Sequence, residues 1–129
     1  MNSGKIFLAL GALAGMSGVI LGAFAAHGLK DTLAPDRIEI FIKGAEYQMY
    51  HCFALVAIGI LSLTAGKNKF LNISGWFFTI GILLFSGSLY LYSLTLTHFL
   101  VFFTPAGGLF FILGWLFLLI FSLRRKTQA

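Results

Sequence analysis

Charge is what this sequence has least of, and its absence is concentrated in four long stretches. Only 10% of the 129 residues are charged and 59% are hydrophobic, whereas soluble proteins are about 25% charged. The acidic residues number four and all lie between positions 27 and 46: Asp31, Asp36, Glu39 and Glu46. This shortage of charge excludes an ordinary soluble domain and predicts a protein buried in a membrane.

The chain also lacks the motifs of several common sites. Its single cysteine, Cys52, excludes a disulfide within the chain, and no Cys/His spacing resembles a zinc site. P-loop, dinucleotide-binding and serine hydrolase motifs are absent. The net charge of +5 comes from basic residues at the ends of the apolar stretches, not from a basic patch with interleaved aromatics. We therefore expect no cofactor, no metal and no nucleic-acid partner.

Four apolar stretches are long enough to cross a bilayer, which takes roughly 20 apolar residues per helix. They lie at about 5–26, 45–65, 71–96 and 105–123. Little length remains for anything else. The sequence therefore predicts an all-α fold, an integral four-transmembrane-helix bundle, in one membrane domain that spans residues 1–129.

The basic residues predict the orientation of the spans. Three fall on one side of the predicted topology (Lys30, Arg37 and Lys43) and six on the other (Lys5, Lys67, Lys69, Arg124, Arg125 and Lys126). Loops rich in Lys and Arg face the cytoplasm. We therefore expect both termini in the cytoplasm.

The segment between the first two spans carries a second helical pattern. Its charged residues are spaced by three, four and three positions and form one polar stripe: Asp36, Glu39, Lys43 and Glu46. Pro35 suits the first position of a helix. The pattern predicts a short amphipathic helix at about 35–44 that lies in the membrane interface and bends near Gly44 into the second span.

Two further patterns concern packing and helix ends. The first span carries a stripe of glycines, which predicts close approach of another helix: Gly4, Gly11, Gly15, Gly18 and Gly22. Before the last span, Thr104 followed by Pro105 predicts an N-cap and a first helical residue.

Polar side chains gather near the predicted outer ends of the spans. Ionisable groups at membrane depth are functional candidates because their burial is costly. The candidate pocket for a ligand or partner consists of His27, Arg37, Glu46, Gln48, His51, Ser86, Ser88 and Tyr90. A structural role is the alternative. His51 can bond Ser86, Tyr90 or a backbone carbonyl of a neighbouring helix, and Lys43 can neutralise Glu46, as could Arg37. His27, His51 and His98 fall on one side, but their spacing does not support a metal site.

Four motifs occur along the chain in a fixed order: GAFAAHGLK at 22–30, EYQMYH at 46–51, FSGSLY at 85–90 and TPAGG at 104–108. Together they resemble the YgdD/YwdK-like proteins, a family of small bacterial inner-membrane proteins with a domain of unknown function, related to eukaryotic transmembrane protein 256. The resemblance covers essentially the whole chain. It implies a four-span protein of the bacterial plasma (inner) membrane and no established activity.

Three classes of function fit these features. We expect first a non-enzymatic multi-pass membrane protein that binds a lipid, a second copy or a membrane partner protein through the outer-leaflet polar pocket. A small oligomeric transporter or channel comes second, because the spans offer few polar groups at the midplane. An enzyme acting on a lipid-linked substrate, with Glu46 or His51 as general base, ranks last. Five positions apart on one helix, those two side chains point about 140° apart.

Overall fold

The protein is built from four long helical spans, seen in a computed structural model that describes residues 2–126. The first two spans are α1 (Ser3–His27) and α2 (Pro35–Ala65). The third joins α3 (Lys69–Gly81), a π-helical turn (Ile82–Ser86) and α4 (Gly87–Thr95), and a 3₁₀ turn (His98–Phe102) leads into α5 (Phe103–Arg124). Each span is long and apolar enough to cross a membrane. The predicted all-α fold with four membrane-spanning helices is confirmed.

Asparagine side chains cap the N-termini of two helices, and the cap predicted at Thr104 is wrong. Asn2 Oδ1 accepts a hydrogen bond from the Gly4 amide at 2.7 Å, and Asn68 Oδ1 accepts one from the Phe70 amide at 2.9 Å. Thr104 does not cap the last helix, because α5 already begins at Phe103. The preceding 3₁₀ turn ends in helical geometry, with φ −74° and ψ −27° at residue 102, so the chain has no extended residue for a cap.

The predicted interfacial helix and the second span form one uninterrupted helix. Pro35 is its first residue, as predicted. Its 31 residues rise about 46 Å, which is longer than a bilayer core of about 30 Å. Gly44 lies inside this helix and brings it close to α4, since a Cβ there would lie 2.9 Å from the Tyr90 ring. That 35–44 lies in the membrane interface stays a prediction.

Glycines bring α1 against α2. A Cβ at Gly11 would lie 2.9 Å from the Val56 amide nitrogen, and one at Gly4 would lie 3.0 Å from the Gly59 carbonyl oxygen. A Cβ at Gly18 would lie 2.6 Å from Met49 Sδ, whereas one at Gly22 would have no neighbour within 4 Å. The predicted glycine stripe therefore packs against α2 over most of its length and is open at its last position.

Glycines also receive aromatic rings in the core. A Cβ at Gly75 would lie 2.5 Å from the Phe7 ring, and one at Gly114 would lie 2.7 Å from the Phe78 ring. These contacts join α3 to α1 at one end of the molecule and to α5 along its length. Elsewhere α1 packs mainly on α2 and meets α3 at few points. A gap therefore opens between α1 and the third span.

Candidate functional site

The gap between α1 and the third span is an open groove of about 280 Å³. Its walls come from α1 on one side and from α3, the π-helical turn and α4 on the other, with α2 at its base. Its lining is Leu10, Leu13, Ala14, Ser17, Leu21, Gln48, Leu55, Thr79, Ile82, Leu83, Gly87 and Tyr90. Eight of these twelve residues are Leu, Ile, Ala or Gly, so the groove is mainly apolar.

A three-residue polar chain lies along the base of this groove. The Gln48 amide nitrogen donates to the Ala14 carbonyl oxygen and to Ser17 Oγ, both at 2.8 Å. The Tyr90 hydroxyl donates to Gln48 Oε1 at 2.7 Å. Gln48 is 5% exposed, and it links α1, α2 and α4 through these bonds.

The polar groups of the groove already donate their hydrogens to partners within the protein. Both N–H groups of the Gln48 amide are bonded, and Ser17 Oγ donates to the Leu13 carbonyl oxygen at 2.8 Å. Thr79 Oγ1 donates to the Gly75 carbonyl oxygen at 2.8 Å. Since a buried polar group with its partners in place has little left to offer a ligand, the groove presents an apolar surface to whatever occupies it.

His51 lies on the other side of α2, in an aromatic cluster. Its ring stacks on Phe111 with 3.6 Å between centroids and 5° between planes. Its Nδ1 lies 2.7 Å from the Tyr47 carbonyl oxygen, and Trp115 Nε1–H donates to its Nε2 at 3.1 Å. Of the partners predicted for His51, neither Ser86 nor Tyr90 bonds it. A carbonyl does, but from its own helix.

The contact with Trp115 decides the tautomer of His51. An indole nitrogen is only a donor, so Nε2 must be an acceptor and the proton must sit on Nδ1, where it is donated to Tyr47. The sequence patterns alone did not predict this bond. A tryptophan in the middle of an apolar span needs an acceptor for its N–H, and that need was the available signal.

Arg37 binds the end of α4 and does not contact Glu46. Its Nε donates to the Ser93 carbonyl oxygen at 2.8 Å, and its Nη2 donates to the Leu94 carbonyl oxygen at 2.9 Å. A cation at a helix C-terminus is favourable because the last carbonyls carry partial negative charge. Arg37 therefore ties the first turn of α2 to the third span.

Glu46 and His27 lie at the surface. Glu46 pairs with Lys43 at 3.1 Å, as predicted, and its side chain is 42% exposed. Such exposed pairs contribute little to stability. His27 is exposed as the last residue of α1. Neither residue lines the groove.

The two serines of the candidate pocket lie on the third span but differ in their contacts. Ser88 Oγ lies 2.6 Å from Thr104 Oγ1, which joins α4 to α5. Ser86 ends the π-helical turn and is fully buried. Among the described residues, its Oγ is the one buried side-chain polar atom without a hydrogen-bond partner.

The structure therefore separates most of the eight candidate residues. Only Gln48 and Tyr90 are bonded to each other and share the groove. Ser17, which sequence reasoning did not select, completes their polar chain. Within residues 2–126, no three His, Cys, Asp or Glu side chains lie close enough together to hold a metal ion.

Comparison with known proteins gives one consistent family. The profile described as "Protein of unknown function (DUF423)" matches residues 21–108. A UPF0382 membrane protein of Staphylococcus epidermidis is 47% identical over 93% of this chain and 97% of its own length. One from Haemophilus influenzae is 42% identical, over 94% and 96%.

The UPF0382 membrane protein YwdK of Bacillus subtilis is 35% identical over 93% of this chain and 98% of its own length. No solved structure matches the chain. The resemblance inferred from the four motifs is confirmed: this chain belongs to the DUF423 family of membrane proteins, whose function is unknown.

Proposed function

We propose that this protein is a non-enzymatic membrane protein of the bacterial inner membrane that holds one acyl chain of a membrane lipid in the groove between α1 and the third span. The observation that carries the proposal is the groove itself. It is a concave, mainly apolar surface between two membrane-spanning helices, and its polar groups are bonded within the protein.

The size of the groove favours a single chain over a whole lipid. Small-molecule sites usually measure about 300–1,000 Å³, and this groove, at about 280 Å³, is slightly smaller. Its rims carry Leu13 and Leu83, which are 55% and 69% exposed, so the groove opens sideways from the helices toward the lipid phase.

The positions of the acid–base candidates support a non-enzymatic role. His51 has both ring nitrogens bonded, to Tyr47 and Trp115, and Glu46 is paired with Lys43 at the surface. A general base needs reach to a substrate proton. Neither group faces the groove.

A pair of glycine substitutions tests the groove. Gly87 lines it and has no neighbour within 4 Å of an added Cβ, so Gly87→Leu places a side chain in the groove without a backbone clash. Gly22→Leu is the matched control, because Gly22 is equally open but does not line the groove. Native mass spectrometry of the purified full-length chain measures how many phospholipids each variant retains.

We predict that Gly87→Leu retains one phospholipid fewer than the unmodified protein, whereas Gly22→Leu retains the same number as the unmodified protein. Retention by Gly87→Leu at the level of the control would overturn the proposal. So would an unmodified protein that carries no lipid at all.

The orientation belongs to the same proposal, with both termini in the cytoplasm. In a Cys52→Ala background, Lys30→Cys and Lys67→Cys place one thiol at an exposed position on each side of the membrane. A membrane-impermeant maleimide added to intact spheroplasts should label Lys30→Cys alone. Labelling of Lys67→Cys alone would show the opposite orientation and contradict the proposal.

A further inference from the structure

The end of the molecule that carries Asn2, the link between α2 and α3 and the last turn of α5 is strongly basic. Its six cations are Lys5, Lys67, Lys69, Arg124, Arg125 and Lys126. The nearest acid along α2 is Glu46, nineteen residues before the end of that helix at Ala65. At 1.5 Å per residue that separation is about 28 Å, so no Asp or Glu side chain on α2 balances this charge.

Two of these cations share one aromatic ring. Lys69 Nζ lies 5.2 Å from the centroid of the Phe70 ring, and the Arg124 guanidinium lies 5.3 Å from the same centroid. The ring attracts each cation, so both positive charges are held beside Phe70 at this end of the molecule. An external anion would balance this charge.

The same surface is concave, and its larger cleft is lined by polar residues. A cleft of about 570 Å³ is lined by Asn2, Ser3, Lys67, Asn68, Lys69 and Asn72. A second, of about 250 Å³, adjoins it through Asn68 and includes Phe70, Arg124 and Arg125. Lysine, arginine and asparagine side chains are donors suited to phosphate oxygens.

The depth of the clefts along the helices favours a lipid headgroup over free phosphate as their ligand. Both adjoin the ends of membrane-spanning helices, α2 at Ala65 and α3 at Lys69, which is the level of the lipid headgroups. Basic residues next to a span attract anionic lipids.

We propose that the larger of the two clefts, here called the basic cleft, binds the phosphate headgroup of an anionic phospholipid, with Lys67 and Lys69 as its principal ligands. The site is separate from the groove and does not depend on it. It distinguishes lipids by headgroup charge, whereas the groove accepts a chain of either kind.

Two double variants with equal loss of charge test the site. Lys67→Gln/Lys69→Gln removes the cleft's lysines, and Lys5→Gln/Lys126→Gln removes two exposed cations from the same end that do not line it. Native mass spectrometry of the full-length chain, given equal amounts of phosphatidylglycerol and phosphatidylcholine with identical acyl chains, measures the ratio of the two lipids bound.

We expect the ratio to fall roughly tenfold in the first variant and to change little in the second. Equal falls in both variants would assign the preference to diffuse charge and overturn the site, as would no fall in either. Competition by excess inorganic phosphate would show a site for free phosphate instead. Gly87→Leu should leave the ratio unchanged, which separates this result from that of the groove.

Discussion

Ser74 and Ser86 lie on the same span, are both fully buried and differ in one contact. Ser74 Oγ donates to the Gly114 carbonyl oxygen at 2.6 Å, whereas Ser86 Oγ has no partner. We expect Ser74→Ala to lower the free energy of unfolding by about 0.5–1.5 kcal/mol, because it removes a hydrogen bond between helices. Ser86→Ala should leave stability unchanged or raise it by up to about 1 kcal/mol. Unfolding in mixed micelles measures both.

An equal loss of stability in the two serine variants would contradict this account. It would mean that the Ser86 hydroxyl has a partner in the membrane, such as a bound ligand, and it would return Ser86 to the candidate site.

His51 gives a prediction about a single proton. With Trp115 donating to Nε2, His51 should be the neutral tautomer with its proton on Nδ1. Nitrogen-15 NMR of histidine-labelled protein should show this tautomer for His51 and a mixture for His98, which is exposed. Trp115→Phe should leave the proton on Nδ1, because the Tyr47 carbonyl still accepts it, and should cost about 1 kcal/mol of stability through the lost bond to Nε2. A proton found on Nε2 of His51 would rule out the bond.

At the scale of helices, the close contact of α1 and α2 rests on specific glycines. Gly11→Ala should lower the free energy of unfolding by about 1–3 kcal/mol, because the new methyl meets the Val56 backbone at 2.9 Å and the helices must separate. Gly22→Ala should leave it unchanged or raise it by up to about 1 kcal/mol, since alanine favours helix and the site is open. Similar losses in both variants would show that α1 does not pack on α2 at Gly11.

Local sequence patterns predicted the helices well because each pattern depends on neighbours in the chain. The four apolar runs, the proline that begins α2 and the glycine stripe of α1 are all of this kind. The π-helical turn at Ile82–Ser86 carried no such signal. It lies where Gly107 of α5 meets the Phe85 backbone, a contact that only the assembled structure reveals.

At the scale of the molecule, the candidate site was predicted only in part, and for a related reason. The sequence indicated which polar residues lie near one membrane depth, but the face on which each lies depends on how neighbouring helices are rotated. Gln48 therefore bonds Tyr90 and Ser17 at the groove, whereas His51 lies on another face of α2 and bonds Trp115. In place of the expected polar pocket, the structure has a mainly apolar groove.

The central claim is that this groove holds a lipid chain, and photo-crosslinking tests it most directly. A phospholipid with a diazirine on its acyl chain would be added to the delipidated full-length protein at less than one molecule per protein chain. Leu13 on the groove rim and Leu119 on α5 are nearly equally exposed, at 55% and 53%, but Leu119 does not line the groove. We predict that crosslinks mapped by mass spectrometry will concentrate at Leu13 and Leu83. Equal yields at Leu13 and Leu119 would contradict the account.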